Sequence, residues 1–343
     1  MNILKVIFVI IGTLIGAGFA SGQEMYLFFY SYGIEGIIGI LISSIIMGIV
    51  IYKVFVKVKK YNIETYKDLL ETFLISKTKN KFSTLENVIN IVINVFILIT
   101  FFIMIAGFGA YFSQELGINS LIGSSVLALI SFVIFKSSTK GVVKASEILV
   151  PMLILIVAII GIINLKQIDI LNLDQYIIKT NSSNFAISGI IYCSYNSILL
   201  IPVLITLKKY ITGKKQILGI SIITTLITIT LAVLIFTLLV KVDVDITKLE
   251  MPVVYVTSHM SKMVGLLYGF VILTSIFTTT ISLGNSFLQN TSKNEKSYTQ
   301  IALIMCITSV IISKIGFSNL ISSLYPIFGY LGIIQILLLF KSI

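Results

Sequence analysis

The sequence predicts an all-α membrane protein of ten transmembrane helices, arranged as two five-span halves of opposite polarity. Three observations predict it. Hydrophobic residues make up 57% of the 343 positions and charged ones only 11%, whereas a soluble domain carries roughly 25% charged residues. Apolar runs recur from end to end, each of about 20 residues and so long enough to cross roughly 30 Å of hydrocarbon. Two of the runs are interrupted by small or polar residues at matching places in the two halves. Backbone in lipid must satisfy its own hydrogen bonds, so the spans are helices. No recurrent short alternating segments suggest a membrane β-barrel instead.

The expected spans cover roughly residues 3–29, 34–56, 85–112, 119–135, 142–163, 183–207, 214–240, 262–288, 298–314 and 319–340. Residues 1–165 form the first repeat, with a cytoplasmic loop at about 57–84, and residues 166–343 form the inverted second repeat. The opening stretch from Met1 to Ile15 has the look of a signal peptide. It is read as a span, because another span follows it directly and no small-residue cleavage site leads into a soluble domain.

Charge sets the orientation. The chain has no arginine, and nineteen of its 25 lysines fall on the side of the N-terminus, against six on the other. Positive loops stay inside, so both termini are expected in the cytoplasm of a plasma-membrane protein. The net charge of +11 therefore speaks of loop orientation, not of nucleic-acid binding. Within the long loop, Tyr66, Leu69, Leu70 and Phe73 recur at helical spacing among lysines. That pattern suits an amphipathic helix on the membrane surface or one packed under the bundle.

Nothing points to an enzyme, a cofactor or a structural metal. Cys193 and Cys306 lie apart in apolar runs, and the single histidine, His259, sits in a loop. There is no metal-ligand spacing and no phosphate-cradling loop.

The first span carries Gly12, Gly16, Gly18 and Gly22, with Ser21, Gln23 and Glu24 among and beside them. Each interior glycine costs about 1 kcal/mol of helix stability. Unwinding near Gly16 to Gly18 would free amides that suit a carboxylate and carbonyls that suit a cation. The same glycines make two GxxxG spacings, which also serve close helix packing. Glu24, if it lies deep, is expensive unless paired or functional; near the outer surface it is simply hydrated.

In the sixth span Tyr192-Cys193-Ser194-Tyr195-Asn196-Ser197 reads as the matching interruption. Tyr192, Ser194, Tyr195 and Asn196 offer two rings and three polar tips, for a solute or for ordinary interhelical contacts. Paired interrupted spans in corresponding positions point to a transporter's binding site. The candidate substrate site is therefore Gly16, Ala17, Gly18, Ser21, Gln23 and Glu24 with those four residues. In the eighth span, Thr274, Ser275, Thr278 and Thr279 present hydroxyls that can ligate a hard cation or bond their own helix.

The decapeptide from Ile15 to Glu24 resembles the first-span signature of YkvI-like amino-acid permeases, within the amino acid–polyamine–organocation superfamily of LeuT-type fold. The Tyr195-Asn196 pair is similar to the sixth-span break of that group. Lys140-Gly141-Val142-Val143-Lys144 with Pro151 resembles the start of the fifth span in sodium-coupled neurotransmitter-type symporters. The resemblance implies discontinuous helices 1 and 6 with substrate between them. It also implies a sodium ion between the carbonyls of Gly12 and Ile15 and the hydroxyls of Thr278 and Thr279, with Thr274 and Ser275 as a competing register. Lys144 near the cytoplasmic end, with Glu147 beside it, does not match the lysine amine that replaces this ion in some relatives; Glu24 leaves proton coupling open. The expected function is alternating-access transport of an amino acid or similar small zwitterion, with Na+ or protons coupled. A spore-germination-type receptor for an amino acid on the same fold is the alternative.

Overall fold

The computed structural model describes residues 3–64, 68–69, 79–137, 140–166, 168, 177 and 179–341, and the side chains of 79–87, 89, 137, 140–149 and 341 are outside the description. The described residues form helices and no strands. The expected surface helix falls largely outside this set, since Tyr66, Leu70 and Phe73 are not described; so do the side chains of Lys140, Lys144 and Glu147.

The first span is three helices: α1 (Ile3–Leu14), α2 (Ala17–Ser21) and α3 (Gln23–Phe28). The later helices are α4 (Glu35–Lys60), α5 (Lys79–Leu116), α6 (Ser120–Ser137), α7 (Lys140–Leu165), α8 (Phe185–Leu207), α9 (Lys214–Leu239), α10 (Pro252–Met260), α11 (Lys262–Thr291), α12 (Glu295–Ile312) and α13 (Phe317–Lys341). Seven of these segments are long and apolar enough to cross a bilayer, and three shorter apolar ones, Ile3–Leu14, Ser120–Lys136 and Val150–Leu165, fall where the remaining spans are expected. Leu129, Leu155, Leu266 and Leu337 are each more than 60% exposed. Large apolar side chains ringing the outside identify the surrounding solvent as lipid, and the chain is a multi-pass membrane protein.

Helix starts follow side-chain chemistry. Asn184 caps α8 by accepting from the amides of Ala186 and Ile187, Ser261 caps α11, and Asn294 caps α12. Each satisfies donors that a helix leaves open at its start.

Three expectations need correction. The sixth span is not broken: α8 is continuous from Phe185 to Leu207. Its polar tips are satisfied on the helix itself. Ser194 donates to the Ile190 carbonyl at 2.7 Å, Asn196 to that of Tyr192 at 3.1 Å and Ser197 to that of Ser194 at 2.7 Å. Hydroxyls and amides that bond back one turn do not require the ladder to open, and no glycine lies between Gly189 and Leu207. The outer connection after α9, expected as a loop, contains α10, which begins with Pro252 at its first position, where a missing N–H costs nothing.

The first span, by contrast, breaks twice. It opens at Ile15 and Gly16, then kinks at Gly22, whose φ of 89° is left-handed. Gly18, expected inside the break, is helical.

The centre of the bundle is α8, which packs against α4 on one side and α13 on the other. Glycines permit the approach. A Cβ on Gly189 would lie 2.7 Å from the Gly39 carbonyl oxygen of α4, and one on Gly332 of α13 would lie 2.2 Å from that of Ser194. Gly332→Leu is expected to cost about 1–3 kcal/mol by overpacking this backbone contact. A thermal midpoint unchanged in detergent would contradict the close packing of α8 on α13.

Candidate functional site

At the first break the backbone of one span is exposed to itself. The Ile15 amide still donates to the Ile11 carbonyl at 2.7 Å. Beyond it, among the described residues, the amides of Gly16, Ala17, Gly18 and Phe19 make no hydrogen bond, nor do the carbonyls of Gly12, Thr13, Leu14 and Ile15. Gly16 is the N-cap of α2 and has no side chain to satisfy them. Leu14, Ile15, Ala17, Gly18 and Phe19 are buried. Buried backbone groups are almost always paired, so an amide end and a carbonyl end facing one gap form a site for polar or charged groups.

The second feature is Glu24. It sits in the first turn of α3 with only 4% exposure, so the reading of a wet carboxylate near the surface is overturned. The Gly22 kink turns its side chain back toward α2, where a Cβ on Gly18 would meet Glu24 Oε1 at 2.2 Å. The Tyr195 hydroxyl of α8 donates to Glu24 Oε2. Among the described residues no lysine or histidine pairs with this carboxylate. Its partner Tyr195 stands in an aromatic cluster instead. Tyr195 stacks on Phe28 at 5.5 Å between centroids and lies 4.7 Å from Tyr325 of α13, 5.4 Å from Tyr192 and 6.3 Å from Phe96 of α5. A carboxylate beside aromatic rings can receive an ammonium group.

Other side chains hold the outer half of the span in place. The Ser21 hydroxyl donates to the Gly18 carbonyl at 2.9 Å and accepts from the Gln23 amide at 3.3 Å. Gln23 reaches out of the site and donates to the Leu249 carbonyl. The Tyr268 hydroxyl of α11 donates to the Ala20 carbonyl at 2.6 Å. Ser188 at the start of α8 donates to the Phe28 carbonyl at 2.7 Å. The α10 connection is clamped over this end by Gln114, which both donates to the carbonyl and accepts from the amide of Met251, at 3.0 and 2.9 Å.

The structure therefore brings Gly18, Glu24, Tyr192 and Tyr195 together. Ser21 and Gln23 brace the span, and Ser194 and Asn196 are bonded within α8. The eighth-span hydroxyls also bond their own helix: Thr274 to the carbonyls of Phe270 and Val271, Thr278 to those of Thr274 and Ser275. No hydrogen bond joins them to Gly12 or Ile15 among the described residues. Hydroxyls that donate to their helix keep oxygen lone pairs for a cation.

Phe28, Phe96 and Tyr325 escaped the sequence reading. The chain has 22 phenylalanines, and one inside a span looks like any other. Tyr325 had a signal: a mid-span tyrosine directly before a proline, Pro326. One turn before the break, a cavity of about 10 Å3 lies among Leu14, Ser43, Ser44, Met47, Tyr192, Cys193 and Thr228. That is room for about one water.

The chain matches no protein-family model. It is 29% identical over 337 residues to the uncharacterized membrane protein YkvI of Bacillus subtilis strain 168, covering 95% of this chain and 92% of that one. It is 25% identical over 334 residues to the uncharacterized protein YyaD of the same strain, covering 96% and 94%. Its fold is similar to a manganese transporter variant of Eremococcus coleocola, with a TM-score of 0.60 at 12% identity over 98% of this chain and 77% of that one. It is also similar to a substrate-bound, outward-open Na+-coupled sialic acid symporter, with a TM-score of 0.58 at 14% identity over 98% and 76%. These solved neighbours are membrane transporters, not enzymes.

Proposed function

We propose that the chain is a secondary active transporter that moves an amino acid or similar small zwitterion by alternating access, with sodium or protons as the coupling ion. The observation that carries this reading is the pairing of four unbonded amides at the first-span break with Glu24 beside the aromatic cluster of Tyr195. The amides suit a carboxylate; Glu24 with the rings suits an ammonium. A zwitterion with both groups on one carbon spans a short gap of this kind. The transporters among its solved neighbours share the fold and lend support at that level.

The fold reading is the LeuT-type arrangement of five plus five inverted spans, as in the amino acid–polyamine–organocation superfamily. Helix packing supports it, because the pattern of neighbours maps onto itself when the halves are exchanged. Each of α4, α5 and α6 packs against its own counterpart, α9, α11 and α12. The helix α8 lies on α4 and α13, as its counterpart α1 lies on α9 and α7. With an odd number of spans per half, the halves have opposite polarity. The lysine distribution supports a plasma-membrane protein with both termini in the cytoplasm.

Purified protein in liposomes is expected to accumulate one or more labelled amino acids when a sodium or proton gradient is imposed. No flux of any of the twenty under either gradient, with saturable binding retained, would favour the germination-type receptor. Where sodium drives uptake, Thr278→Ala combined with Thr279→Ala is expected to raise the apparent sodium constant about tenfold or more, the loss of hard oxygen ligands. An unchanged sodium dependence would take those hydroxyls out of the ion site.

A further inference from the structure

Away from the central site, α4 and α9 enclose a groove of about 340 Å3 that opens to the lipid-facing surface. Ile45, Ile49, Leu218, Ile222 and Leu226 form its walls and are 41–58% exposed. Its floor exists because Gly48 has no side chain; a Cβ there would lie 2.2 Å from Thr225 Oγ1. The two hydroxyls on the floor are turned inward to their own helix, Ser221 to the Ile217 carbonyl and Thr225 to that of Ser221. The surface left to an occupant is hydrocarbon.

One mouth of the groove is charged. Lys214 and Lys215 are exposed and stand one turn before Leu218. Lys59, from the end of α4, donates to the carbonyls of Ile211 and Thr212 beside them. The start of α9 adds the positive end of its dipole, since its N-cap is Gly213 and no side chain caps it. Tyr52 also lines the groove, and tyrosine is a residue type enriched at the lipid–water interface. An apolar slot that ends in three ammonium groups has the charge pattern of one molecule of the surrounding bilayer: acyl chain in the slot, anionic phosphate at the mouth.

The geometry points to a binding site for an anionic phospholipid in the α4–α9 groove, with its headgroup held by Lys59, Lys214 and Lys215. The full chain in detergent, titrated with dioleoylphosphatidylglycerol or dioleoylphosphatidylcholine and read by native mass spectrometry, tests it with identical acyl chains. Phosphatidylglycerol is expected to bind at least tenfold tighter. Lys214→Gln with Lys215→Gln is expected to weaken it about 25-fold, at roughly fivefold per lysine near a headgroup. Ile222→Trp, which fills the slot from an exposed position, is expected to displace both lipids. The melting temperature of each variant in phosphatidylcholine separates lost binding from lost folding. Equal affinity for the two lipids would overturn the proposal, as would a preference that survives the lysine substitutions. Stabilisation by inorganic phosphate equal to that by phosphatidylglycerol would assign the lysines to a free anion and overturn it too. So would a dimer abolished by Ile222→Trp, which would give the groove to a second copy of the chain.

Discussion

Glu24→Gln is expected to abolish accumulation of substrate while leaving the protein folded. Glutamine has nearly the shape of glutamate and still accepts a hydrogen bond from the Tyr195 hydroxyl, so the contact between the first span and α8 survives. What disappears is the one carboxyl group, among the described residues, that is hydrogen-bonded to Tyr195 and able to carry a negative charge there. A cationic substrate group buried there without its partner loses about 2–5 kcal/mol, or roughly 30-fold to several thousand-fold in affinity. Equilibrium binding of the transported amino acid measures it directly. Wild-type affinity, together with kinetics that keep their wild-type dependence on pH, would remove Glu24 from the mechanism and leave the amides of the break as the whole site.

The same residue shows how much was legible in the sequence. A carboxylate within an expected span is costly if it lies deep, so Glu24 stood out at once. Its depth did not, because depth depends on the kink at Gly22, and a glycine in sequence does not announce the sign of its φ. The break in the first span was legible for the same reason that it exists: four glycines and no compensating side chain make a weak helix. The sixth span misled because polarity was taken for weakness. Tyr192 to Ser197 are polar, but Ser194, Asn196 and Ser197 satisfy themselves on the helix ladder, and only packing distinguishes that from an opening. The aromatic wall was illegible for a different reason. Phe28, Phe96 and Tyr325 come from three distant segments, and their convergence is a product of tertiary packing that no local pattern records.

Gly18 is where the two halves of the site meet, and its substitution is the sharper experiment. The glycine cluster alone suits close helix packing, and Gly22 does pack closely, with Val253 2.7 Å from an added Cβ. Gly18 is different. The three nearest atoms to a Cβ there are Oε1, Cδ and Cγ of Glu24, at 2.2, 3.0 and 3.1 Å. No helix backbone stands in the way, so the clash falls entirely on the end of a flexible side chain. Gly18→Ala is therefore expected to be mild for folding, and it even favours the helical conformation that Gly18 already adopts, by about 1 kcal/mol. It displaces the carboxylate, however, and separates Glu24 from the Tyr195 hydroxyl. Gly18→Leu does the same and also fills the space beside the unbonded amides. The expected result is a stable protein whose substrate affinity falls about tenfold or more with alanine, the worth of one displaced charge-assisted contact, and is lost altogether with leucine. Thermal midpoint and binding measured on the same samples decide it. If both fall together, Gly18 serves packing; if affinity falls while the midpoint holds or rises, Gly18 is there to let Glu24 lie against the break.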